Sequence, residues 1–475
     1  MRPYEDTTAP AGSAGSAGPA TPTAPYDLLV RSQTLVTPDG AVPGALAIRD
    51  GIIQAILPPG TPAHLTRAKQ VITTAPGEVL LPGLIDAHIH VNEPGRTHWE
   101  GYATATRAAA AGGFTTILDM PLNSLPPTTT LANLEVKRAA SDTKRHTDVG
   151  FWGGAIPGNT KDLADLHRAG VFGFKCFLAG SGVDEFGHLA EPDLLEAAQE
   201  LARLGAQLIV HAESQAVLER HAIPTQPRYQ DFLASRPTEA EEAAVAQVIR
   251  VVRETGVKAH ILHLSAASAL PLIAAAKAEG LPLTAETCPH YLTFSAEQIP
   301  DGAPEYKCCP PIRDEANRRQ LIQGLLDGII DYVASDHSPC EPSLKEPGRT
   351  DMAKAWGGIA SVQLMAPAVW TATREHGAGL SQLATWLAAA PARLLAIGGK
   401  GRLAPGNEAD FTVFAPDETF TVVPGELHHR WPITPYAGRT LQGVVKATYL
   451  RGTPIDPDHP AGRLLTRTAP STSNS

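Results

Sequence analysis

Val79-Leu80-Leu81-Pro82-Gly83-Leu84-Ile85-Asp86-Ala87-His88-Ile89-His90 is a strand-length apolar run that closes on two histidines. It opens a series of eight such runs, the others lying at 114–120, 148–154, 171–178, 207–213, 258–265, 283–292 and 331–339. Longer amphipathic stretches separate them, among them 194–204, 238–255 and 267–279. Apolar strands alternating with amphipathic helices predict a parallel sheet covered on both faces. Eight repeats predict closure into a TIM-like (β/α)8 barrel over 83–402. A doubly wound open sheet is the competing architecture. It would carry a glycine-rich phosphate loop after its first strand, and none follows here.

Outward from this centre the pattern changes. Tyr26-Asp27-Leu28-Leu29-Val30, Ala45-Leu46-Ala47-Ile48 and Gly51-Ile52-Ile53-Gln54-Ala55-Ile56 are short β-like runs bounded by Asp-Gly and Pro-Gly turns. A matching set returns as Asp410-Phe411-Thr412-Val413-Phe414, Thr419-Phe420-Thr421-Val422-Val423 and Gly443-Val444-Val445-Lys446-Ala447-Thr448-Tyr449. Neither set makes a satisfying sheet alone. Together they predict one small β-sandwich domain built from 26–82 and 403–456, with the barrel inserted between. The tails at 1–25 and 457–475 are dominated by small residues and proline and are expected to be disordered.

Composition narrows the function classes. Of 475 residues, 43% are hydrophobic, enough for a large core. The 39 Lys and Arg against 49 Asp and Glu leave a net charge of −10, a poor match to phosphate backbones, so no nucleic-acid partner is expected. No window reaches the ~18 apolar residues of a membrane span, and Met1-Arg2-Pro3-Tyr4-Glu5-Asp6 lacks the apolar centre of a signal peptide. The five cysteines show no CxxC spacing, which speaks against a disulfide framework or a zinc ribbon. These features predict a soluble cytoplasmic protein.

The polar residues on the strand runs form a set. His88 and His90 are two apart and share one side of their strand. Lys175 sits in Phe172-Gly173-Phe174-Lys175-Cys176-Phe177-Leu178, His211 ends Leu208-Ile209-Val210-His211, His263 ends His260-Ile261-Leu262-His263, and Asp336 follows Val333-Ala334-Ser335. A lone strand histidine is usually a hydrogen-bonded core residue, and a lone Asp before His is usually a turn former. Four histidines, an Asp and an apolar-flanked Lys at the ends of five strands are hard to explain as packing. They predict a metal site at the C-terminal face of the barrel. Lys175 would repel a metal as an ammonium. Carbamylation by CO2 would reverse its charge and offer two oxygen donors that bridge two divalent ions, and pairing with Asp336 or Glu213 is the structural alternative. Two such ions, partly neutralised by the carbamate and Asp336, would polarise a carbonyl and hold a nucleophile at neutral pH. Asp336 would both ligate and shuttle the proton. Zn, Co, Mn and Fe all suit these donors, with Zn2+ first.

Parity turns His260 and His337 away from this site, and His290 stands near the seventh strand end. Cys288, Cys308 and Cys309 read as small core or rim residues.

The string from Pro82 to His90, the Lys175 strand, His211, His263 and Ser335-Asp336-His337 resemble the amidohydrolase superfamily, and within it the cyclic amidohydrolases. The resemblance runs from about Tyr26 to Asp456 and includes Leu403-Ala404-Pro405-Gly406-Asn407-Glu408-Ala409-Asp410. It implies a metal-dependent barrel, usually binuclear with a carbamylated lysine, and commonly a homotetramer. Dihydroorotases carry an arginine where Asn92 stands here, and hydantoinases carry a tyrosine shortly after the lysine, where this chain has none. Asp119-Met120-Pro121-Leu122-Asn123-Ser124, Trp356-Gly357-Gly358-Ile359-Ala360, Thr434-Pro435-Tyr436-Ala437-Gly438-Arg439 and the stretch from Cys176 to Phe186 are similar to the allantoinase branch, apart from Ala179-Gly180, where a Ser-Pro pair is more usual. That branch implies allantoin as substrate and allantoate as product, with hydantoinase or dihydropyrimidinase chemistry as the alternative. Asn92, Asn123, Ser338 and Trp356, on loops at the ligand face, are the expected substrate contacts. A non-catalytic dihydropyrimidinase-like scaffold has no reason to keep all six metal-facing residues.

Overall fold

The computed structural model describes residues 25–222 and 225–467, so the expected N-terminal tail through residue 24 and the end of the C-terminal tail lie outside the described residues. Both ends of the chain contribute to one eight-stranded sheet. Its strands are β1 (Tyr26–Thr37), β2 (Gly40–Arg49), β3 (Ile52–Leu57), β4 (Ala68–Thr73) and β5 (Val79–Pro82) from the first part. The strands between, β6 to β14, form two parallel sheets. They are β6 (Leu84–Ile89), β7 (Phe114–Asp119), β8 (Asp148–Phe151), β9 (Gly153–Gly154), β10 (Phe174–Phe177), β11 (Gln207–His211), β12 (Lys258–Ile261), β13 (Leu283–Thr287) and β14 (Tyr332–Val333). The closing part returns β15 (Phe411–Thr421), β16 (Thr440–Leu450) and β17 (Thr453–Pro454) to the first sheet, in the order β17-β16-β15-β5-β1-β2-β3 with β4 beside β1.

Pro82 and Gly83 divide the opening apolar run between two sheets. Val79–Pro82 pairs antiparallel with β15, and Leu84–Ile89 pairs parallel with β7. Gly83 has to be small, because a Cβ there would stand 2.4 Å from Thr115 Oγ1 and 2.8 Å from Asp410 Cβ. The chain therefore passes from one sheet to the other through a single tight step.

The parallel strands follow one another as β6-β7-β8 and β9-β10-β11-β12-β13-β14. Only Trp152 separates β8 from β9 along the chain. At the far edge a parallel bridge joins Ile89 to His337, and His90 N donates to His337 O at 2.8 Å. One apolar cluster draws Ile85, Leu118, Ile209 and Tyr332 from both sheets, so the two share a core. Helices cover the strands with their apolar faces. Helix Glu191–Leu204 buries Leu194, Ala197, Ala198 and Leu201 and stops at Gly205, φ 65°. Helix Thr238–Thr255 buries Val245, Val248, Ile249 and Val252 and stops at Gly256, φ 72°.

The C-terminal stretch corrects one expectation. Residues 457–467 were expected in a disordered tail, yet Val149 N donates to Arg463 O, Leu465 N to Val149 O and Arg467 N to Gly170 O. Backbone pairing along the start of β8 orders a segment whose composition carries no apolar periodicity. Among the described residues no helix is long and apolar enough to cross a membrane.

Candidate metal centre

Strand ends bring the predicted set together. β6 ends just after His88, with His90 one residue beyond; Lys175 lies in β10; His211 closes β11; His263 follows β12 and Asp336 follows β14. His263 and Asp336 have φ of 36° and 43°, the left-handed region that side chains avoid. Each strand thus ends in a sharp turn at its own site residue, and strain of this kind concentrates at functional sites.

Two groups of donor atoms result. His88 Nε2 and His90 Nε2 stand 3.1 and 3.5 Å from Asp336 Oδ1, and one donor atom from each of the three lies within 4.8 Å of the others. His211 Nδ1 and His263 Nε2 face each other at 3.0 Å. Lys175 Nζ lies 3.4 Å from His88 Nε2 and 4.9 Å from the Phe177 ring. No carboxylate pairs with it among the described residues, which leaves both structural alternatives, Asp336 and Glu213, without an ion pair to Lys175.

Buried carboxylates behind the histidines fix which nitrogen faces inward. Glu286 Oε1 takes His88 Nδ1 at 2.6 Å, and Glu213 Oε2 takes His211 Nε2 at 2.8 Å. Each carboxylate can only accept, so the proton resides on that nitrogen and the opposite one is left with its lone pair in the site. Glu213 is in turn forked by Arg236, Nε at 2.9 Å and Nη2 at 2.5 Å.

Burial also keeps the imidazoles neutral. It pushes His90 down to about 3, His263 well below the usual histidine range, and His211 downward. His88 is the exception: burial acts against its charge, but Asp336 and Glu286 outweigh it and carry it upward. Burial also opposes the charge on Asp336, yet the surrounding histidines hold it ionised well below the carboxylate range. Lys175 is lowered to about 8, chiefly by burial, which leaves a fraction of neutral amine able to react with CO2. The neutral imidazoles of His90, His211 and His263, converging with one ionised carboxylate, fit divalent ions of the Zn, Co, Mn and Fe class.

The centre floors a cavity of about 490 Å³ whose lining includes His90, Lys175, His211, His263 and Asp336. His88 lies beneath, fully buried. Three expected substrate contacts are on the wall. Asn123 Nδ2 reaches His90 Nδ1 at 3.3 Å, Ser338 Oγ donates to Asp336 Oδ1 at 3.1 Å, and Trp356 packs on Trp99 with ring centroids 4.9 Å apart. Asn92 is a correction. It does not line the cavity; at φ 68° it forms a turn, and its Nδ2 holds the carbonyl of Pro339 at 3.2 Å.

Other residues fall differently from their sequence pattern. His260 does not point away from the centre: its Nε2 meets Glu286 Oε2 at 3.2 Å and it stacks on Tyr332. Strand parity fails because β12 stops at Ile261, before the turn at His263. His337 does face away, with Nδ1 accepting from Ser361 N at 3.0 Å. His290 is fully buried and neither ring nitrogen has a protein partner among the described residues. Cys288 and Cys308 are buried, and Cys309 is partly exposed on the cavity wall. Glu286 and Arg236 were not anticipated from the sequence, nor was the place of Glu213 behind His211 rather than beside Lys175. Glu286 had a usable signal, an acid inside the apolar strand 283–287, and so had Glu213, two residues beyond His211; Arg236 sits in an irregular loop and had none.

A family model described as the amidohydrolase family matches residues 79–455. The chain is 53% identical to an allantoinase of Streptomyces avermitilis, over 93% of this chain and 99% of that one. It is 41% identical to an allantoinase of Arabidopsis thaliana, over 89% of this chain and 87% of that one. Among solved structures it is similar to an L-hydantoinase (dihydropyrimidinase) from Arthrobacter aurescens, with a TM-score of 0.88 and 27% identity, covering 93% of this chain and all of that one.

Proposed function

The chain belongs to the amidohydrolase family, and from that premise we propose that it opens the hydantoin ring of allantoin with water to give allantoate. It is a hydrolase of cyclic amide C–N bonds. We read β6 to β14 as a closed TIM-like (β/α)8 barrel, with the eight-stranded sheet folding on itself into a small sandwich around Leu28, Val30, Leu46, Phe411 and Val413. We further read the protein as cytoplasmic and, as its family resemblance implies, as a homotetramer.

His88, His90, His211, His263, Asp336 and a carbamylated Lys175 would hold two divalent cations, with Zn2+ first. When bound, such ions supply Lewis acidity to the ring carbonyl and acidify the attacking water. Asp336, held ionised, accepts the proton of that water and returns it to the departing ring nitrogen. Ser338, hydrogen-bonded to Asp336, keeps its carboxylate oriented, and Asn123 steadies His90. Trp356 and its neighbours form the wall against which the ring lies. Glu286 and Glu213 hold His88 and His211 in the tautomer the site needs.

The observation that carries this reading is the convergence of the His211–His263 pair with His90 and Asp336 on one cavity floor, with His88 directly beneath. The experiment is hydrolysis of allantoin by enzyme supplied with zinc and bicarbonate, with hydantoin, dihydrouracil and dihydroorotate alongside. Allantoin turnover far above the others, abolished in His88→Ala, is the expected result. Strong hydantoin or dihydrouracil opening without allantoin turnover overturns the substrate. Silence on all four with no bound metal returns the scaffold alternative. A native mass that lacks one CO2 per chain overturns the carbamate.

A further inference from the structure

Beside the metal-facing cavity lies a second hollow of about 390 Å³, walled by Leu218, Phe232 and Ser235. The two share Arg236, Lys307 and Cys309 in their linings, so they adjoin, with Arg236 at the junction. Arg236 is unusual in how its donors are used. Nε and Nη2 are both committed to Glu213, which fixes the plane of the guanidinium, while Nη1 has no protein partner among the described residues. Lys307, the other cation at the junction, spends its ammonium on the carbonyls of Ala353 and Ala355. A guanidinium locked along one edge presents its free N–H without further loss of side-chain freedom, and that is the arrangement that recognises a carbonyl oxygen well.

The ring amide has to lie over the histidine and Asp336 floor to react. Whatever projects from the ring then has to follow the cavity wall, and Arg236 stands on that wall where the second hollow adjoins. A bare hydantoin ring ends within the inner cavity, whereas a ring bearing a ureido group has a second polar arm. We propose that the outer hollow is a subsite for the exocyclic ureido arm of the substrate and that Arg236 Nη1 donates to the carbonyl oxygen of that arm. This rests on the reading of the reaction as allantoin ring opening and names the device that separates allantoin from simpler cyclic amides.

The test compares wild type, Arg236→Lys and Leu218→Trp, each assayed on allantoin and on hydantoin, with bound zinc measured in each. Lysine keeps the charge but cannot hold Glu213 and the substrate together. Tryptophan at 218 fills the outer hollow without touching a residue of the metal floor. In Arg236→Lys the allantoin-to-hydantoin ratio of kcat/KM falls by about 10- to 100-fold, the loss of one charge-assisted hydrogen bond. In Leu218→Trp the same ratio falls through a higher KM for allantoin, with bound zinc retained. Equal losses on both substrates in Arg236→Lys at full zinc overturn the subsite, as does a Leu218→Trp enzyme with an unaltered ratio. If Arg236→Lys loses zinc, the ratio in Leu218→Trp alone decides. Wild type that opens hydantoin but not allantoin overturns the substrate reading instead, and is seen without either variant.

Discussion

His211 is held at both ring nitrogens, Nε2 by Glu213 and Nδ1 by its approach to His263. Glu213→Gln replaces a pure acceptor with an amide that can also donate, so the tautomer is no longer imposed. The expected result is metal affinity weaker by about 10- to 100-fold with the fold intact, measured by competition with a chelator; Glu286→Gln at His88 is expected to behave alike. A second residue-scale effect concerns pH. Burial lowers His290 from 6.5 to about 4, and His90 to about 3. Between those values and 6.5 the unfolded chain binds protons that the folded chain refuses. The stability these two groups contribute is therefore complete above about pH 6.5 and is lost as pH falls towards 4 and then 3. Denaturant midpoints of metal-free protein taken across that range are expected to fall with pH, and less steeply in His290→Leu; equal slopes would contradict this. The six proposed ligands stood out because each is a polar side chain in, or just beyond, an otherwise apolar run. Arg236 did not, since a loop residue that reaches the site from between two helices leaves no periodic trace.

At the scale of elements, the cavity wall depends on two buried lysines. Lys307 Nζ donates to Ala353 O and Ala355 O at 2.8 and 2.7 Å, and Lys345 Nζ to Trp356 O and Gly358 O at 2.8 and 2.7 Å. Residues 353–358 form no regular strand or longer helix that could satisfy these carbonyls, so the ammonium groups do it instead. Lys345→Met is expected to destabilise the protein by about 3 kcal/mol, to raise KM more than it lowers kcat, and to speed tryptic cleavage after the exposed Lys354. Unchanged cleavage would show that the segment is held by other means. The strands themselves were legible from their apolar runs, with two departures that share a cause. The run 79–90 crosses from one sheet to the other at Pro82-Gly83, and β12 ends two residues before His263. In both cases a backbone turn interrupts an unbroken apolar pattern, and hydrophobicity alone cannot register where pairing partners change.

At the scale of the whole molecule, the two ends of the chain were expected to build one domain, but how that domain is fastened to the rest was not visible, because the fastening is made of charges far apart in sequence. Lys400 Nζ stands 2.8 Å from Asp148, 2.7 Å from Glu408 and 2.5 Å from Asp410, and Arg451 adds a contact to Asp148 at 2.8 Å. The three acids have the spacing of a cation site, and the buried ammonium already occupies it. Asp148 opens β8, while Glu408 and Asp410 precede β15 and Arg451 follows β16, so the cluster joins the terminal sheet to the parallel strands. Replacing Lys400 by Met leaves three carboxylates, two of them buried, facing a single arginine. The expected cost is about 3–5 kcal/mol. Because Gly83 passes directly between the sheets and Thr412 Oγ1 also bonds Gly113 O, unfolding should remain a single transition at a lower denaturant midpoint rather than split into two. Asp148 lies at the start of its strand, whereas the histidines and Asp336 lie at strand ends. Lys400→Met is therefore expected to retain metal content and kcat at temperatures where it is folded. Two separated transitions would mean that the sheet and the parallel strands are independent units, and loss of metal with the fold intact would mean that the cluster reaches the site.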